Sequence, residues 1–381
     1  MKSLIPVDAK IIEILSKELP SEIFSNLDEK YKVEPRGNFQ NTAIYIAKPQ
    51  DKFQISKIMN VANAIGFGVV PYSGGSGLVC GQISLKGQPL LLSIERLNKV
   101  REFNPVSGIV KVEAGVILSD LKKISVAHNR QFPLSLASQG SCMIGGNLAT
   151  NAGGVNVLKY GNARDLCYGL EVVTADGKIL NDLNDLKKDN SGYDLKNLII
   201  GSEGTLGVIT AASLKTFPLT KNVVALMSVN TTYEAIELYS FLSSKLEFSL
   251  QAFELIDITG INFLISTGLM KTFPIDISKK WWILVEVGGA EQGDLIDTFQ
   301  MLLSQAADLK MIEEIIISQN SKQYVDLWKI RELIPEANRL VGSISNHDIS
   351  IPIDRIADFI ERAGTEVLKV SEEFRINCFG H

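Results

Sequence analysis

Residues 140–154 read GSCMIGGNLATNAGG, and five of these fifteen positions are glycine. Most of the others carry small side chains, such as Ser141, Ala149 and Ala152. Glycine has no Cβ, so a ligand can approach its peptide groups closely. Its cost is that glycine loses more conformational entropy on folding than other residues do. An irregular surface turn of this length would contain more proline, aspartate and other charged residues. The segment therefore predicts a backbone surface that packs against a flat polar ring.

A second glycine-rich loop lies earlier in the chain. Apolar residues at helical spacing predict a helix over 51–65 that ends at Gly66, and GVVPY at 68–72 predicts a buried strand. The next residues, SGGSG at 73–77, carry consecutive N–H groups that can converge on a phosphate oxygen. A dinucleotide-binding Rossmann unit would continue with a helix, but the residues that follow lack helical periodicity. This order disfavours NAD and still predicts a diphosphate site.

Length, charge and hydropathy restrict the class of protein. A chain of 381 residues exceeds one ordinary core and predicts two domains. The 43 acidic residues outnumber the 38 basic ones, and no basic run is present, so nucleic acid is not an expected partner. The N-terminus lacks a secretory pattern, and no apolar run approaches the roughly 20 residues of a spanning helix. We expect a soluble, cytoplasmic protein with no transmembrane segment.

The four cysteines show no CxxC spacing, so neither a zinc site nor a redox pair is indicated by them. They are Cys80, Cys142, Cys167 and Cys378. We interpret Cys142, inside the glycine-rich segment, as a small packing residue.

The pattern of elements changes at Pro218. Before it, strands at 90–94 and 110–115, a helix over 117–128 and a hairpin turned by Asp176-Gly177 predict an α+β domain. After it, strands and amphipathic helices alternate. The predicted strands are 223–229, 249–256, 281–287, 311–317 and 346–351, and the predicted helices are 232–245, 259–269, 292–306, 321–333 and 354–370. This alternation favours one sheet with helices on a single face.

Several segments resemble, in order and spacing, the FAD-binding domain of vanillyl-alcohol-oxidase (PCMH-type) flavoproteins. They are PYSGGSGLVCGQ, VKVEAGV, FPLSLASQGSCMIGGNLATNAGG, KYGNARDLCYGLEVVTADGKIL and YDLKNLIIGSEGTLGVITAASLKTFP, within 31–218. Further on, WKIREL and HDISIP resemble the cap domain of the FAD-linked D-lactate and D-2-hydroxyglutarate dehydrogenases. The resemblance implies an α+β fold in which a two-subdomain PCMH-type FAD-binding domain (1–218) precedes an α+β cap domain with an antiparallel sheet (219–381).

The resemblance also implies which residues hold FAD. The first loop would serve the diphosphate through Pro71, Gly74, Gly75, Ser76, Gly77 and Leu78. Flavin and ribityl contacts would come from Pro133, Leu134, Gly140, Ser141, Ile144, Gly145, Asn147, Thr150, Asn151, Gly153 and Gly154, with Gly161 and Ile209 nearby. Ser73 and Cys80 stand where the family usually has glycine, and we expect weaker binding at most.

Substrate chemistry is expected around Arg331. Trp328 and Arg331 are three residues apart on one predicted helix, so an aromatic wall would flank the guanidinium. Arginine offers a planar fork that grips a carboxylate at two points, and in the resembled branch this arginine binds the substrate carboxylate. From the residues alone, an ion pair with Glu332 or Asp326 is the alternative.

Asn346 and His347 complete the candidate catalytic positions. His347 is followed by Asp348, and we interpret it as a hydrogen-bonded structural residue rather than a catalyst. The resembled dehydrogenases generally have lysine where this chain has Asn346, so a positive charge near the substrate is lost.

The sequence stops at CFGH, where the resembled branch begins a GHxGDGNxH motif that holds a divalent metal such as zinc. Only His381 of the metal ligands is present, and one ligand makes an incomplete site. The chain therefore looks truncated at its C-terminus. The segment that supplies the presumed catalytic base in the family is missing as well.

The resemblance implies oxidation of a small D-2-hydroxy acid, D-lactate or D-2-hydroxyglutarate, to the 2-oxo acid, with hydride transfer to the flavin. FAD is expected to be non-covalent because His128, His347 and His381 all lie outside the glycine loops. Reoxidation would use a quinone or an electron-transfer protein. Two alternatives stay open: a catalytically impaired remnant or half of a split enzyme complemented by a separate C-terminal fragment, and a sugar-nucleotide or NAD-binding module.

Overall fold

The computed structural model describes residues 4–275, 277–289, 293–342 and 344–381. The chain forms two compact units. The first comprises Met1–Gly154 and Tyr160–Leu219, and the second comprises Val155–Lys159 and Thr220–His381. Among the described helices, none is long and apolar enough to cross a membrane.

Five α-helices and eleven strands lie in the first unit among its described residues, and a sixth α-helix lies mostly in the second unit. The helices are α1 (Ala9–Ser16), α2 (Lys52–Ile65), α3 (Leu118–Ala127), α4 (Ile144–Ala149), α5 (Val157–Tyr160, mostly in the second unit) and α6 (Leu195–Ile199). The strands are β1 (Phe24–Asn26), β2 (Tyr45–Ala47), β3 (Val69–Tyr72), β4 (Leu90–Ser93), β5 (Val100–Asn104), β6 (Ile109–Glu113), β7 (Arg130–Gln131), β8 (Cys167–Thr174), β9 (Ile179–Asp182), β10 (Gly207–Lys215) and β11 (Phe217–Pro218).

Two larger sheets share one core in this unit. The four-stranded sheet has the order β1-β2-β4-β3, and its β2–β4 and β3–β4 pairs are parallel. The five-stranded sheet has the order β5-β6-β10-β8-β9 and is antiparallel. Leu90 and Leu92 of the first sheet, Val112 and Val172 of the second and Ile58 of α2 belong to one buried cluster. The predicted α+β fold of this half is confirmed.

Helix α2 shows how local sequence sets the approach to the first glycine loop. The Asp51 side chain accepts hydrogen bonds from the N–H groups of Phe53 and Gln54 at 2.8 and 2.9 Å, which caps the first turn. Gly66 ends the helix in a left-handed conformation with φ of 93°. The chain then enters β3, which delivers it to residues 73–77. The predicted helix and strand are both present, but Val69, Val70 and Pro71 of the strand are half-buried, not buried.

The second unit is built on one antiparallel sheet of five strands with the order β15-β12-β14-β13-β16. The strands are β12 (Lys221–Val229), β13 (Leu250–Asp257), β14 (Trp281–Gly289), β15 (Ile315–Ile317) and β16 (Phe379–Gly380). The helices are α7 (Thr232–Leu246), α8 (Ile258–Ser266), α9 (Gly293–Asp308), α10 (Ser321–Glu332), α11 (Ile334–Val341) and α12 (Ile356–Val370). The predicted cap with an antiparallel sheet is confirmed.

Both faces of this sheet are covered, so the prediction of helices on a single face was wrong. Leu238 of α7 and Phe299 of α9 pack on one face with Val223. Ile261 of α8 and Leu327 of α10 pack on the other face with Val224. The physical reason is visible in β12 and β14, where consecutive apolar residues replace the alternation expected of a half-exposed strand.

The predicted strand at 346–351 is absent, because residues 344–352 form no strand. Their side chains are exposed except at Ile351. On the side of β13 away from β14, the neighbour is β16. Helix α11 was not predicted; Pro335 lies in its first turn, where a missing N–H is tolerated.

A buried carboxylate joins α2 to the five-stranded sheet. Glu171 on β8 is fully buried, and it accepts hydrogen bonds from Lys52 Nζ at 2.5 Å and Arg101 Nη2 at 3.0 Å. Burial by itself raises the pKa of Glu171, but the bonds from Arg101 and Lys52 outweigh it and hold the pKa below the ordinary 4.5. Because this pKa is lower in the folded state, ionised Glu171 stabilises the fold above pH 4.5. The contribution is lost as the pH falls through the folded-state pKa.

Glu171→Gln is predicted to lower the free energy of unfolding by about 1 to 3 kcal/mol at pH 7, because Lys52 and Arg101, which are 21% and 30% exposed, lose their buried counter-charge. Urea unfolding followed by circular dichroism measures this difference, which should shrink as pH falls below 4.5. Glu29→Gln is the control, because Glu29 pairs with Lys32 on the exposed surface. Equal effects of the two substitutions at pH 7 would contradict the prediction.

Candidate functional site

The two glycine-rich loops of the first unit are in direct contact. A Cβ on Gly74 would lie 2.3 Å from the carbonyl oxygen of Ser141 and 2.8 Å from Cys142 Cα, so the backbones touch where a side chain would stand. One residue earlier, Ser73 Oγ accepts a hydrogen bond from the Gly146 N–H at 3.1 Å. Loop 73–78 and segment 140–154 therefore form one continuous surface made mainly of peptide groups.

The two departures from the family's glycines are accommodated differently. Ser73 is not among the residues with positive φ, and its hydroxyl makes the bond that joins the two loops. Cys80 has a φ of 65°, a conformation that favours glycine. The serine thus adds a contact, whereas the cysteine carries backbone strain.

Asn147 supplies the observation that tests whether this surface fits a cofactor. The residue is 5% exposed, and its Nδ2 is buried with no hydrogen-bond partner among the described residues. A buried polar atom without a partner indicates the position of a ligand or water, because leaving it unpaired is unfavourable. Seven residues earlier in the same segment, Gly140 is exposed, and a Cβ there would meet no atom within 4 Å. The surface therefore combines peptide groups, the unpaired side-chain amide of Asn147 and the exposed Gly140. This combination fits FAD.

A third segment joins the surface at its far end. Gly154 has a φ of 103°, and a Cβ there would lie 2.2 Å from the carbonyl oxygen of Ser135. The preceding residues Pro133 and Leu134 are buried. Asn151 Oδ1 accepts from the Arg164 N–H at 3.0 Å, which ties the segment to the residues after Gly161.

Other residues proposed for FAD differ in how accessible they are. Leu78, Ser141 and Thr150 are exposed. Pro71, Gly74, Gly75, Ser76, Gly77, Asn151, Gly153, Gly154 and Gly161 are half-buried. Ile144, Gly145 and Ile209 lie in the core, and a Cβ on Gly145 would meet Ala114 Cβ at 2.7 Å. Packing by itself therefore accounts for glycine at position 145.

In the second unit, Arg331 on α10 forms a partly buried ion pair that the sequence did not indicate. Its Nε donates to Glu254 Oε2 at 2.6 Å. Its guanidinium carbon lies 4.7 Å from the centre of the Phe379 ring. The expected alternative partner, Asp326, pairs with Lys329 instead. The aromatic ring that covers Arg331 is thus Phe379, one of the two residues of β16.

Trp328 belongs to a second buried carboxylate site. Its Nε1 donates to Glu286 Oε2 at 2.6 Å, and Tyr324 OH donates to the same oxygen at 2.9 Å. Desolvation raises the pKa of Glu286, which lies on β14, and burial beside that carboxyl group raises the pKa of Tyr324. These bonds anchor α10 to the sheet one turn before Arg331.

Asn346 and His347 lie in the exposed segment that replaces the predicted strand. His347 Nε2 is 3.1 Å from Ser345 Oγ. Within the described residues, no hydrogen bond or ion pair links either residue to Arg331. The structure thus does not bring these two candidates together with the arginine.

His381 contacts the same carboxylate as Arg331, through Nδ1 and Glu254 Oε1. Across the described ranges, no group of three or more His, Cys, Asp or Glu side chains could hold a metal ion. His381 and one carboxylate are too few for a zinc site. The residues present therefore do not fit a divalent metal.

Comparison with known proteins identifies both halves. The FAD binding domain family matches residues 43–182, and the C-terminal domain of FAD linked oxidases matches residues 219–381. Among solved structures, an alkyldihydroxyacetonephosphate synthase aligns with a TM-score of 0.72 at 17% identity, covering 96% of this chain and 77% of that chain. This likeness shows the fold and confirms the predicted PCMH-type architecture.

Relatives of higher identity come from one group of enzymes. A D-2-hydroxyglutarate–pyruvate transhydrogenase from Saccharomyces cerevisiae is 33% identical over 342 residues, which cover 90% of this chain and 68% of that protein. The mitochondrial D-2-hydroxyglutarate dehydrogenase of Rattus norvegicus is 36% identical over 316 residues, 83% of this chain and 58% of that protein. A putative mitochondrial D-lactate dehydrogenase from Schizosaccharomyces pombe is 31% identical over 363 residues, 94% of this chain and 68% of that protein.

The aligned part of the chain thus spans between 58% and 68% of the length of these three relatives. Identity is spread over most of the chain and includes both domains. The predicted resemblance is confirmed: the chain belongs to the family of FAD-linked D-2-hydroxyglutarate and D-lactate dehydrogenases.

Proposed function

We propose that this chain binds FAD non-covalently on the surface formed by loop 73–78 and segment 140–154, and that it serves the oxidation of a D-2-hydroxy acid to the 2-oxo acid. The single observation that carries the cofactor proposal is that Asn147 Nδ2, in segment 140–154, is buried and has no hydrogen-bond partner among the described residues. Membership of the family supports the reaction class. D-lactate and D-2-hydroxyglutarate are the two substrates that the relatives' names suggest.

Arg331 is proposed to bind the substrate carboxylate. Its Nε edge is occupied by Glu254, whereas no described residue hydrogen-bonds its two Nη groups. Those two groups form the end of the guanidinium fork, which suits a carboxylate held at two points. The side chain is 11% exposed, so a ligand there would be bound in a mostly desolvated place, where a charge-assisted hydrogen bond is strong.

FAD, when bound, supplies the redox chemistry by accepting the hydride from the substrate α-carbon. The protein's part is binding and orientation. Consecutive N–H groups of residues 73–77 suit the diphosphate. Non-covalent binding is supported by the absence of histidine from both loops and by the burial of Cys142, the cysteine in the second loop.

A second candidate function is favoured by the state of the presumed catalytic groups. Asn346 replaces a lysine and is exposed, and His381 is accompanied by a single carboxylate. The second candidate is accordingly a catalytically impaired FAD-binding protein. A quinone or an electron-transfer protein is the proposed electron acceptor. The compartment stays a prediction: cytoplasm was expected, whereas several relatives' names specify mitochondria.

Gly140→Val is predicted to weaken FAD binding while leaving the apoprotein as stable as before. No protein atom lies within 4 Å of the Cβ position, so the added side chain enters open space at the proposed flavin site. Overpacking by a side chain of this size costs about 1 to 3 kcal/mol, or about 5- to 150-fold in Kd. Fluorescence titration with FAD gives the Kd, and thermal unfolding of the apoprotein gives its stability.

Gly364→Val in α12 is the matched control, because its Cβ would meet only Ile376 Cδ1 at 3.9 Å and it lies in the other unit. Its FAD affinity should equal that of the unmodified chain. If Gly140→Val binds FAD as tightly as this control, the flavin does not lie against residue 140.

The 381-residue chain is predicted to oxidise D-lactate and D-2-hydroxyglutarate slowly or not at all, even when it is loaded with FAD. Asn346 is neutral where the resembled dehydrogenases have lysine, and losing one member of a catalytic unit can lower the rate by orders of magnitude. Dye-linked reduction assays with and without zinc or manganese measure the rate. Turnover at several per second by the chain alone would contradict this prediction and the second candidate function.

A further inference from the structure

The side chain of Gln82 holds two carbonyl groups of loop 73–78. Its Nε2 donates to the carbonyl oxygen of Gly77 at 2.7 Å and to that of Gly75 at 3.3 Å. A side-chain amide nitrogen carries two hydrogens, so both bonds can form at once. Gln82 therefore fixes the orientation of two peptide groups in the loop that is proposed to serve the diphosphate of FAD.

A turn brings Gln82 back to this loop. The Ile83 N–H donates to the Cys80 carbonyl oxygen at 3.2 Å, which closes a turn over residues 80–83. Cys80, the first residue of the turn, has a φ of 65°. The unfavourable conformation of Cys80 thus has a structural consequence, because it begins the turn that places the Gln82 side chain against the two carbonyl groups.

The two fixed carbonyl groups determine where two N–H groups point. In a planar trans peptide, the carbonyl group and the N–H of the next residue point in opposite directions. The N–H groups of Ser76 and Leu78 therefore point away from Gln82. Among the residues that the structure describes, neither N–H has a hydrogen-bond acceptor. Free N–H groups that point out of a loop on the same side form a site for an anion.

Side chains of the first unit fill the space next to both glycines. A Cβ on Gly75, whose φ is 67°, would collide with the hydroxyl oxygen of Tyr72. A Cβ on Gly77 would lie 3.3 Å from Gln82 Oε1. Ser76 is half-buried and Leu78 is exposed, so the N–H groups of these two residues are the part of the loop that a ligand can reach.

We propose that Gln82 is a positioning residue for FAD: by holding the carbonyl groups of Gly75 and Gly77, it directs the N–H groups of Ser76 and Leu78 toward the diphosphate. Gln82 itself does not touch the cofactor. Without its two hydrogen bonds the peptide groups can rotate, and cofactor binding has to order them at an entropic cost. The inference rests on the proposed FAD site and identifies what keeps the diphosphate loop in its binding conformation.

Two substitutions of Gln82 test this role. Methionine has a similar length but donates no hydrogen bond, so Gln82→Met removes both bonds. Gln82→Glu keeps the shape and replaces the donor by a carboxylate, which repels the two carbonyl oxygens. Gln319→Met is the matched control, because Gln319 Nε2 also donates to a backbone carbonyl, that of Ile317 at 3.2 Å, and lies in the second unit.

The experiment measures the Kd of FAD and the Kd of ADP for the apoprotein by isothermal titration calorimetry, with thermal unfolding to verify that each variant is folded. ADP carries a diphosphate and adenosine but no flavin. Gln82→Met is expected to raise both Kd values by about 5- to 50-fold, the range for the loss of two orienting hydrogen bonds. Gln82→Glu should raise both further, and Gln319→Met should leave both unchanged.

Three outcomes overturn the inference and leave the proposed function intact. The first is a Gln82→Met variant that binds both ligands as tightly as the unmodified chain. The second is a rise confined to the Kd of FAD, because the effect would then lie at the flavin. The third is an unmodified chain that binds FAD but not millimolar ADP. An unmodified chain that binds neither ligand overturns both the inference and the proposed function.

A second measurement needs no variant and therefore survives a failure of Gln82→Met to fold. Nitrogen-15 and proton NMR of the unmodified chain follows the N–H signals of the loop as ADP is added. The Ser76 and Leu78 protons are expected to shift downfield, because each gains an anionic acceptor, and the Gln82 side-chain amide protons should exchange slowly with solvent. Ser76 and Leu78 signals that stay unmoved while ADP binds would overturn the inference, as would fast exchange of the Gln82 amide protons.

Discussion

The contact between loop 73–78 and segment 140–154 is the constraint on which the first unit depends. The carbonyl oxygen of Ser141 occupies the place of a side chain at residue 74, and the Ser73 hydroxyl bonds the Gly146 N–H. Neither loop could approach so closely with larger residues. Capping of α2 and the parallel pairing of β3 with β4 bring the first loop to this point. The result is a surface of peptide groups, which is what a large, polar, planar cofactor requires.

In the second unit, buried carboxylates position the candidate functional side chains. The first unit instead uses glycine loops whose backbones pack closely together. Glu254 and Glu286 lie on neighbouring strands, and because Glu286 pairs across the ladder with Ala252, the two carboxyl groups share one face. Each receives a hydrogen bond from α10, through Arg331 and Trp328. Those two residues are three apart and so lie on the same side of the helix. Two buried carboxylates on the sheet therefore bind the face of α10 that carries the proposed substrate arginine.

Elements whose ends are marked by nearby residues in the sequence could be predicted. Features that depend on contacts between residues far apart in the chain could not. Asp51 and Gly66 mark the ends of α2 in the sequence itself, and Asp176-Gly177 marks a hairpin that the structure contains. Glu254 gave no signal, because its partners Arg331 and His381 are 77 and 127 residues away. The continuous apolar runs of β12 and β14 indicate that both faces of the sheet are covered. The alternation of strands and helices, on which the prediction was based, does not distinguish one covered face from two. Segment 346–351 has the composition of a strand, yet the edge of β13 pairs with β16 instead.

FAD is expected to be held mainly by backbone and unpaired polar groups, without a covalent bond. The most direct measurement is the flavin content of the chain after reconstitution with FAD and removal of excess cofactor, followed by acid precipitation. Close to one FAD per chain, all of it in the yellow supernatant, is the expected result. A colourless protein after incubation with micromolar FAD, or flavin that stays with the precipitate, would contradict the central claim.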